Sequence, residues 1–139
     1  MILLDTNVVS EPMRPLGHPA VQAWLDRQAA ETLFITTTSL AELLLGVELL
    51  PDGKRKEGLA AALHELLAEL FGARILPFDR AAAEEYARLL GRARSAGHAI
   101  SMADGQIAAI AATQGFTVAT RDTAPFVAVG VPVIDPWAA

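Results

Sequence analysis
Short apolar runs alternate along the chain with stretches whose apolar residues recur every three or four positions, the pattern of strands interleaved with amphipathic helices. Ile2 to Leu4 reads as a strand that ends abruptly at Asp5. A polar turn holding Pro12 and Pro15 follows, and Pro19 opens a helix with Val21, Trp24, Leu25 and Gln28 at helical spacing. Leu33 to Thr36 is a second strand, and Ser39 with Glu42 three residues on has the spacing of a capping box at the head of the next helix. That helix stops near Pro51-Asp52-Gly53. From Lys54, the positions Leu59, Leu63, Leu66, Leu67 and Leu70 step along one helix face, and Gly72 suits the residue just past its end. Arg74 to Phe78 reads as a strand and Asp79 as the cap of a helix ending at Gly97, with Ala83, Tyr86, Leu89, Leu90 and Ala93 inward. The two long helices are a candidate arm. Ser101 caps another helix, Gly115 ends it, and Phe116 to Ala119 is a strand with Asp122 just beyond. Val131 to Ile134, closed by Pro136, suits a sheet edge. Strands alternating with helices predict βα units and a mostly parallel sheet.

In such sheets ligands bind in the crevice outside the carboxyl ends of the strands, where loops and helix starts converge. Asp5 and Asp122 fall at strand ends, and Glu42 and Asp104 fall in the first turns of helices expected to begin at the same edge. Each residue alone has an ordinary reading. Glu42 and Asp104 are capping residues three positions after a serine, and Asp5 and Asp122 are turn formers. Their convergence on one edge favours a shared site. Two like charges about 5 Å apart repel by roughly 3 kcal/mol at an effective dielectric near 20, so clustered carboxylates call for a cation or for protonation. An all-oxygen acidic site suits Mg²⁺ or Mn²⁺.

Composition narrows the alternatives. At 139 residues the chain has the size of one domain, taken here as residues 1–139. It is 53% hydrophobic but only 6% aromatic, which implies an aliphatic core with apolar surface left for an oligomer interface. No apolar run approaches the ~20 residues of a membrane span. Met1 to Asp5 lacks a basic leader, and the chain has no cysteine, which excludes disulfides and thiolate chemistry; a cytoplasmic setting is expected. The net charge of −5 weighs against nucleic acid as a partner. An acidic site that takes up divalent cations is less negative in its working form, however.

The remaining chemistry is sparse. No G-x-x-x-x-G-K-[ST] or G-x-G-x-x-G motif occurs. His18, His64 and His98 share no spacing and read as surface or packing residues, and Lys54-Arg55-Lys56 reads as a solvated helix start. Thr120 and Arg121, beside Asp122, are better placed to hold a ligand or a phosphate.

Four blocks, Leu3-Leu4-Asp5-Thr6-Asn7, Ser39-Leu40-Ala41-Glu42-Leu43, Ala103-Asp104 through Ile107-Ala108-Ala109, and Ala119-Thr120-Arg121-Asp122-Thr123, span nearly the whole chain. In order and spacing they resemble the PIN-domain endoribonucleases, among them the VapC-like toxins, and most of all the FitB type. The resemblance implies a PIN-like α/β fold, a short parallel sheet flanked by helices on both faces. It matches Asp5, Glu42, Asp104 and Asp122 to the family's acidic tetrad, and Asn7 and Thr120 to its supporting polar positions, with Thr6 and Arg121 beside them. It further implies one or two Mg²⁺ or Mn²⁺ ions, hydrolysis of RNA to 5′-phosphate and 3′-hydroxyl products, a homodimer, and a cognate antitoxin that occupies the active-site groove and alone contacts operator DNA. Many relatives carry asparagine at the position of Asp122, and an acidic residue often precedes the aromatic where this chain has Pro125-Phe126.

Two rivals stand beside this reading. A phosphotransfer domain also places an aspartate after its first strand, but it needs a late lysine, and none follows Lys56. A non-catalytic binding module on the same scaffold would retain the fold without turnover.

Overall fold
Side chains alternate across a strand, and here that alternation divides the core in two. In the computed structural model, which describes residues 1–139, the strands are β1 (Ile2–Leu4), β2 (Leu33–Thr36), β3 (Ile75–Leu76), β4 (Thr117–Ala119) and β5 (Val133–Ile134). Leu4, Leu33, Ile35 and Ala119 point into one buried cluster with Val8, Val9, Val21, Trp24, Leu43, Leu63 and Phe71. Their neighbours Leu3 and Val118 point the other way, into a cluster with Ala82, Ile107, Ile110, Phe126 and Val131. The first cluster is completed by α1 (Thr6–Ser10), α2 (Pro19–Asp26), α3 (Thr37–Glu48) and α4 (Lys54–Leu66). The second is completed by α5 (Arg80–Ser95), α6 (Met102–Gln114) and α7 (Ala124–Ala128). The fold is α/β with helices on both faces, as expected.

The strand order is β3-β2-β1-β4-β5, and every neighbouring pair is parallel. The chain therefore winds outward from β1 through β2 and β3, then returns to add β4 and β5 on the other side. The point where the winding reverses lies between β1 and β4, where the loops beyond the strands diverge and open a crevice. β5 lies at a sheet edge, as its closing proline suggested. No helix is long and apolar enough to cross a membrane.

Several local expectations are corrected. The polar turn after Asp5 is a helix: α1 begins at Thr6 because the Asp5 side chain accepts its N–H, and Val8 and Val9 are buried. A 3₁₀ turn, Glu11–Met13, then carries Pro12. Ser39 is not the cap of α3. β2 runs straight into that helix, so the last strand residue, Thr36, accepts the Ser39 N–H at 3.0 Å, and the Ser39 hydroxyl is left buried without a partner. The strand expected from Arg74 to Phe78 shrinks to Ile75–Leu76, since Pro77 has no N–H to give to a ladder. The long helices make no arm: α4, extended by a π turn at Leu67–Phe71, packs on one face of the sheet, and α5 packs against α6 on the other. On α5 it is Ala82, not Ala83, that is buried. His18 turns out to cap α2, its Nδ1 accepting from the Ala20 N–H at 3.1 Å.

The caps at Asp79 and Ser101 and the left-handed Gly115 occur where expected. α5 and α6 approach so closely at Gly105 that a Cβ there would lie 2.8 Å from Tyr86 and 2.9 Å from Leu90. The residue before it, Asp104, is thereby seated on a helix whose backbone lies directly against the Tyr86 and Leu90 side chains of α5.

Candidate active site
Each acidic residue reaches the crevice by a different element. Asp5 is the first residue past β1. Its N–H donates to the Ala119 carbonyl at 2.9 Å, prolonging the ladder with β4 by one bond. Its carboxylate is gripped from both sides, Oδ1 accepting from the Thr6 N–H and Oδ2 from the Thr120 hydroxyl, each at 2.8 Å. Only 6% of the residue is exposed. Thr120 itself is fully buried, and its hydroxyl also accepts the Asp122 N–H at 3.1 Å, so one side chain ties the first carboxylate to the loop bearing the last.

Glu42 comes from the second turn of α3 and is exposed, but it is not free: the Thr6 hydroxyl donates to its Oε1 at 2.7 Å. Asp104 lies in the first turn of α6, where its N–H donates to the Ser101 hydroxyl at 3.1 Å. The two helices are tied to each other just below, Thr38 of α3 donating to the Gln106 side chain of α6 at 2.8 Å. Sequence reasoning missed this tie, since a contact between residues 68 positions apart has no local signature. Asn7 links α1 to the loop after β4, its Oδ1 accepting the Arg121 N–H at 3.5 Å.

The carboxylates also act on one another through their charges. Burial raises the Asp5 carboxyl above its ordinary 3.8, against the lowering hydrogen bonds from Thr120 and Thr6, and Asp104 and Glu42 add repulsion. Burial also raises Asp104; the Ser101 hydroxyl, as a hydrogen-bond partner of its carboxylate, opposes the rise, and Asp122 and Glu42 push the same way as burial. None of the four carboxylates forms an ion pair. The result is a group of like charges, one of them nearly sealed from water, none of them offset by an ion pair. No three of these groups are already drawn into an arrangement that grips an ion. The donor set still fits a hard divalent cation, which binds through one or two carboxylates and keeps several of its waters.

A pH dependence follows. A carboxyl whose pKa is raised by folding binds its proton more tightly in the native state, so its contribution is most favourable below the ordinary value of 3.8 and is lost as pH rises from there through the raised value. Without metal, the Asp5→Asn variant is expected to gain melting temperature relative to the unchanged protein as pH rises from about 4 through the raised Asp5 pKa. Parallel melting curves across that range would refute a desolvated, uncompensated Asp5.

A doubly flanked parallel sheet with carboxylates gathered where its winding reverses defines a class, and the PIN-domain family profile matches residues 2–131. The chain belongs to the PIN-domain family. Within it, the chain is 51% identical over 139 residues to the plasmid stability protein StbB of Pseudomonas syringae, with all of both chains covered. It is 48% identical over 137 residues to the toxin FitB of Neisseria gonorrhoeae, covering 99% of each chain. It is 47% identical over 138 residues to the VapC ribonuclease Y4jK of Sinorhizobium fredii, covering 99% of this chain and 98% of the other. The solved structure of FitAB bound to an IR36 DNA fragment superposes with a TM-score of 0.95 at 47% identity, over 99% of this chain and 96% of that one.

Proposed function
We propose that this protein is a Mg²⁺- or Mn²⁺-dependent endoribonuclease acting as the toxin of a toxin-antitoxin pair. The observation that carries the reading is the carboxylate group itself: Asp5, Glu42, Asp104 and Asp122 line one crevice, Asp5 almost fully buried, and none of the four forms an ion pair. A divalent cation held there supplies an acidified water, a polarised phosphoryl oxygen and stabilisation of the leaving alkoxide. Asp5, immobilised by Thr6 and Thr120, is the rigid ligand, and Asp104 completes the grip from α6. Glu42, steadied by Thr6 yet open to solvent, is suited to orient a water and take its proton. Asp122, opposite Asp104, is a second ligand or water-positioning group, with Asn7 and Thr120 holding its loop. No histidine base is required.

Relatives of nearly the same length that carry the names VapC ribonuclease and toxin FitB support this reading. The antitoxin's place is supported by a groove of about 420 Å³ that opens directly onto the site, since Thr6 and Glu42 are part of its wall. Leu43, Val47, Leu50 and Leu59 make its floor apolar, with Arg14 and Arg55 at its rim. A segment of antitoxin lying there would shut off the carboxylates, and the solved structures of FitAB bound to an IR36 DNA fragment and of VapBC2 bound to a promoter DNA fragment support a toxin-antitoxin complex that binds operator DNA, a contact we assign to the antitoxin. Leu44 and Leu45 on α3, with Leu49 just past its end, are exposed apolar residues, which supports pairing of two copies. Light scattering at micromolar concentration is expected to return the mass of a dimer, and a monomer would count against that part of the reading.

The test of the nuclease reading is cleavage of a mixed single-stranded RNA with Mg²⁺ or Mn²⁺, beside an EDTA control and the Asp104→Asn variant. Cleavage that requires the metal and falls by at least about a hundred-fold in the variant is the expected result. Metal binding without cleavage of any single-stranded or structured RNA would instead favour a non-catalytic module.

A further inference from the structure
β5 is parallel to β4, so the residues that follow the two strands emerge at the same edge of the sheet. Val118 and Ala119 pair with Val133 and Ile134, and the Thr120 N–H donates to the Ile134 carbonyl at 2.9 Å. One strand therefore leads into Thr120-Arg121-Asp122 and the other into Asp135-Pro136-Trp137, side by side. The second turn is fixed by the Trp137 N–H donating to Asp135 Oδ1 at 2.9 Å, by the buried Pro136 and by packing of the indole against the core. Against this fixed ring stands Arg121, its guanidinium carbon 5.3 Å from the ring centroid.

What sets Arg121 apart is its company. It lies next to a group of carboxylates and is exposed, yet it forms no ion pair with any of them. A free guanidinium beside four carboxylates would swing toward one of them. Stacking on the indole holds it by cation–π attraction and spends none of its five N–H donors. The charge and the donors are thus kept for an anion that comes to the edge of the acidic site, and a planar fork of N–H groups matches phosphate.

We propose that Arg121, oriented by Trp137, binds a backbone phosphate of single-stranded RNA adjacent to the scissile bond, on the β4–β5 side of the crevice. The proposal rests on the nuclease reading. Its chemistry is direct: Arg121 is the contact, and Trp137 is a positioning residue that keeps the guanidinium off Asp122. A strand drawn into a site of like charge needs such a cation at its entrance, and in a chain of net charge −5 it must be local.

The test measures binding of a short fluorescent single-stranded RNA of mixed sequence across a salt series with Mg²⁺ present, in an Asp104→Asn background so that the RNA stays whole. In that background, Arg121→Gln is expected to flatten the slope of log K against log salt by about 0.7 and to weaken binding roughly five-fold at 0.1 M salt, for every sequence alike. Trp137→Leu is expected to weaken it similarly, Trp137→Phe to restore most of the loss, and the Arg121→Gln, Trp137→Leu pair to be little worse than either alone. The chain has two tryptophans, and Trp24 is buried, so a change in tryptophan emission on adding RNA reports Trp137 and disappears in Trp137→Leu. An unchanged salt slope in Arg121→Gln, or an emission response that survives Trp137→Leu, overturns the assignment while cleavage by the unchanged protein leaves the nuclease reading standing. RNA that is neither bound nor cut by any form overturns both.

Discussion

Asp5→Asn is expected to abolish most RNA cleavage, by about two to three orders of magnitude, while leaving the metal-free protein at neutral pH at least as stable as before. The two halves have one cause. The Asp5 carboxylate is 6% exposed, and its only partners are the neutral donors Thr6 N–H and Thr120 hydroxyl, so folding strips a charge of water and returns no opposite charge. Asparagine has the same shape. Its oxygen can accept from the Thr6 N–H, and its amide can donate to the Thr120 oxygen once that hydroxyl turns, which leaves only the Thr120 hydroxyl proton without its present acceptor. The variant gives up at most one hydrogen bond and sheds the buried charge, which is the component that makes the site fit a divalent cation. Cleavage assays and urea melts on the same preparation check both halves. Activity within ten-fold of the original would remove Asp5 from the ligand set, and a stability loss above about 1 kcal/mol would show that its role is structural.

The opposite pattern is expected at Phe126→Ala. Phe126 is completely buried in α7 and belongs to the cluster of Ile107, Ile110, Val118 and Val131. Removing a buried phenyl ring costs about 3–5 kcal/mol, because the transfer energy is lost and a rigid wall leaves a void. A domain of this size has about 5–15 kcal/mol in total, so the melting temperature should fall by roughly 10 °C or more. Well below that temperature the variant should retain metal-dependent cleavage, reduced several-fold, since α7 supports the loop of Asp122 but supplies no charge. Equal melting temperatures would mean that the ring is not the anchor of this face. The same residue settles a point left open by the sequence, where Pro125 stands at a position at which the resemblance implies an acidic residue. Pro125 falls in the first turn of α7, where its missing N–H costs nothing, and Phe126 still reaches the core.

What could be read beforehand was whatever one short segment decides alone. Ile2–Leu4 and Leu33–Thr36 are strands because continuous apolar runs suit a sheet covered on both faces. The starts of α5 and α6 were legible because Asp79 and Ser101 can accept backbone N–H groups whatever the rest of the fold does. The capping box at Ser39-Glu42 misled for the same kind of reason. Thr36 is also a good cap, and only the continuation of β2 into α3 selects it, freeing Glu42 to meet Thr6 instead. The turn after Asp5 misled because Asn7, Ser10 and two prolines signal a loop locally, while burial of Val8 and Val9 against the sheet secures a helix.

The sequence by itself determined most of the element types, the carboxylates available and the edge of the sheet to which they belong, since hydrophobic period and cap chemistry act within a few residues. Only the tertiary structure decided that β1 and β4 are neighbours, that Thr120 therefore clasps Asp5 across 115 positions, and that β5 brings Trp137 beneath Arg121. Those outcomes depend on strand order. Strand order is set by how all the helices together cover both faces of the sheet, a property that no single segment carries.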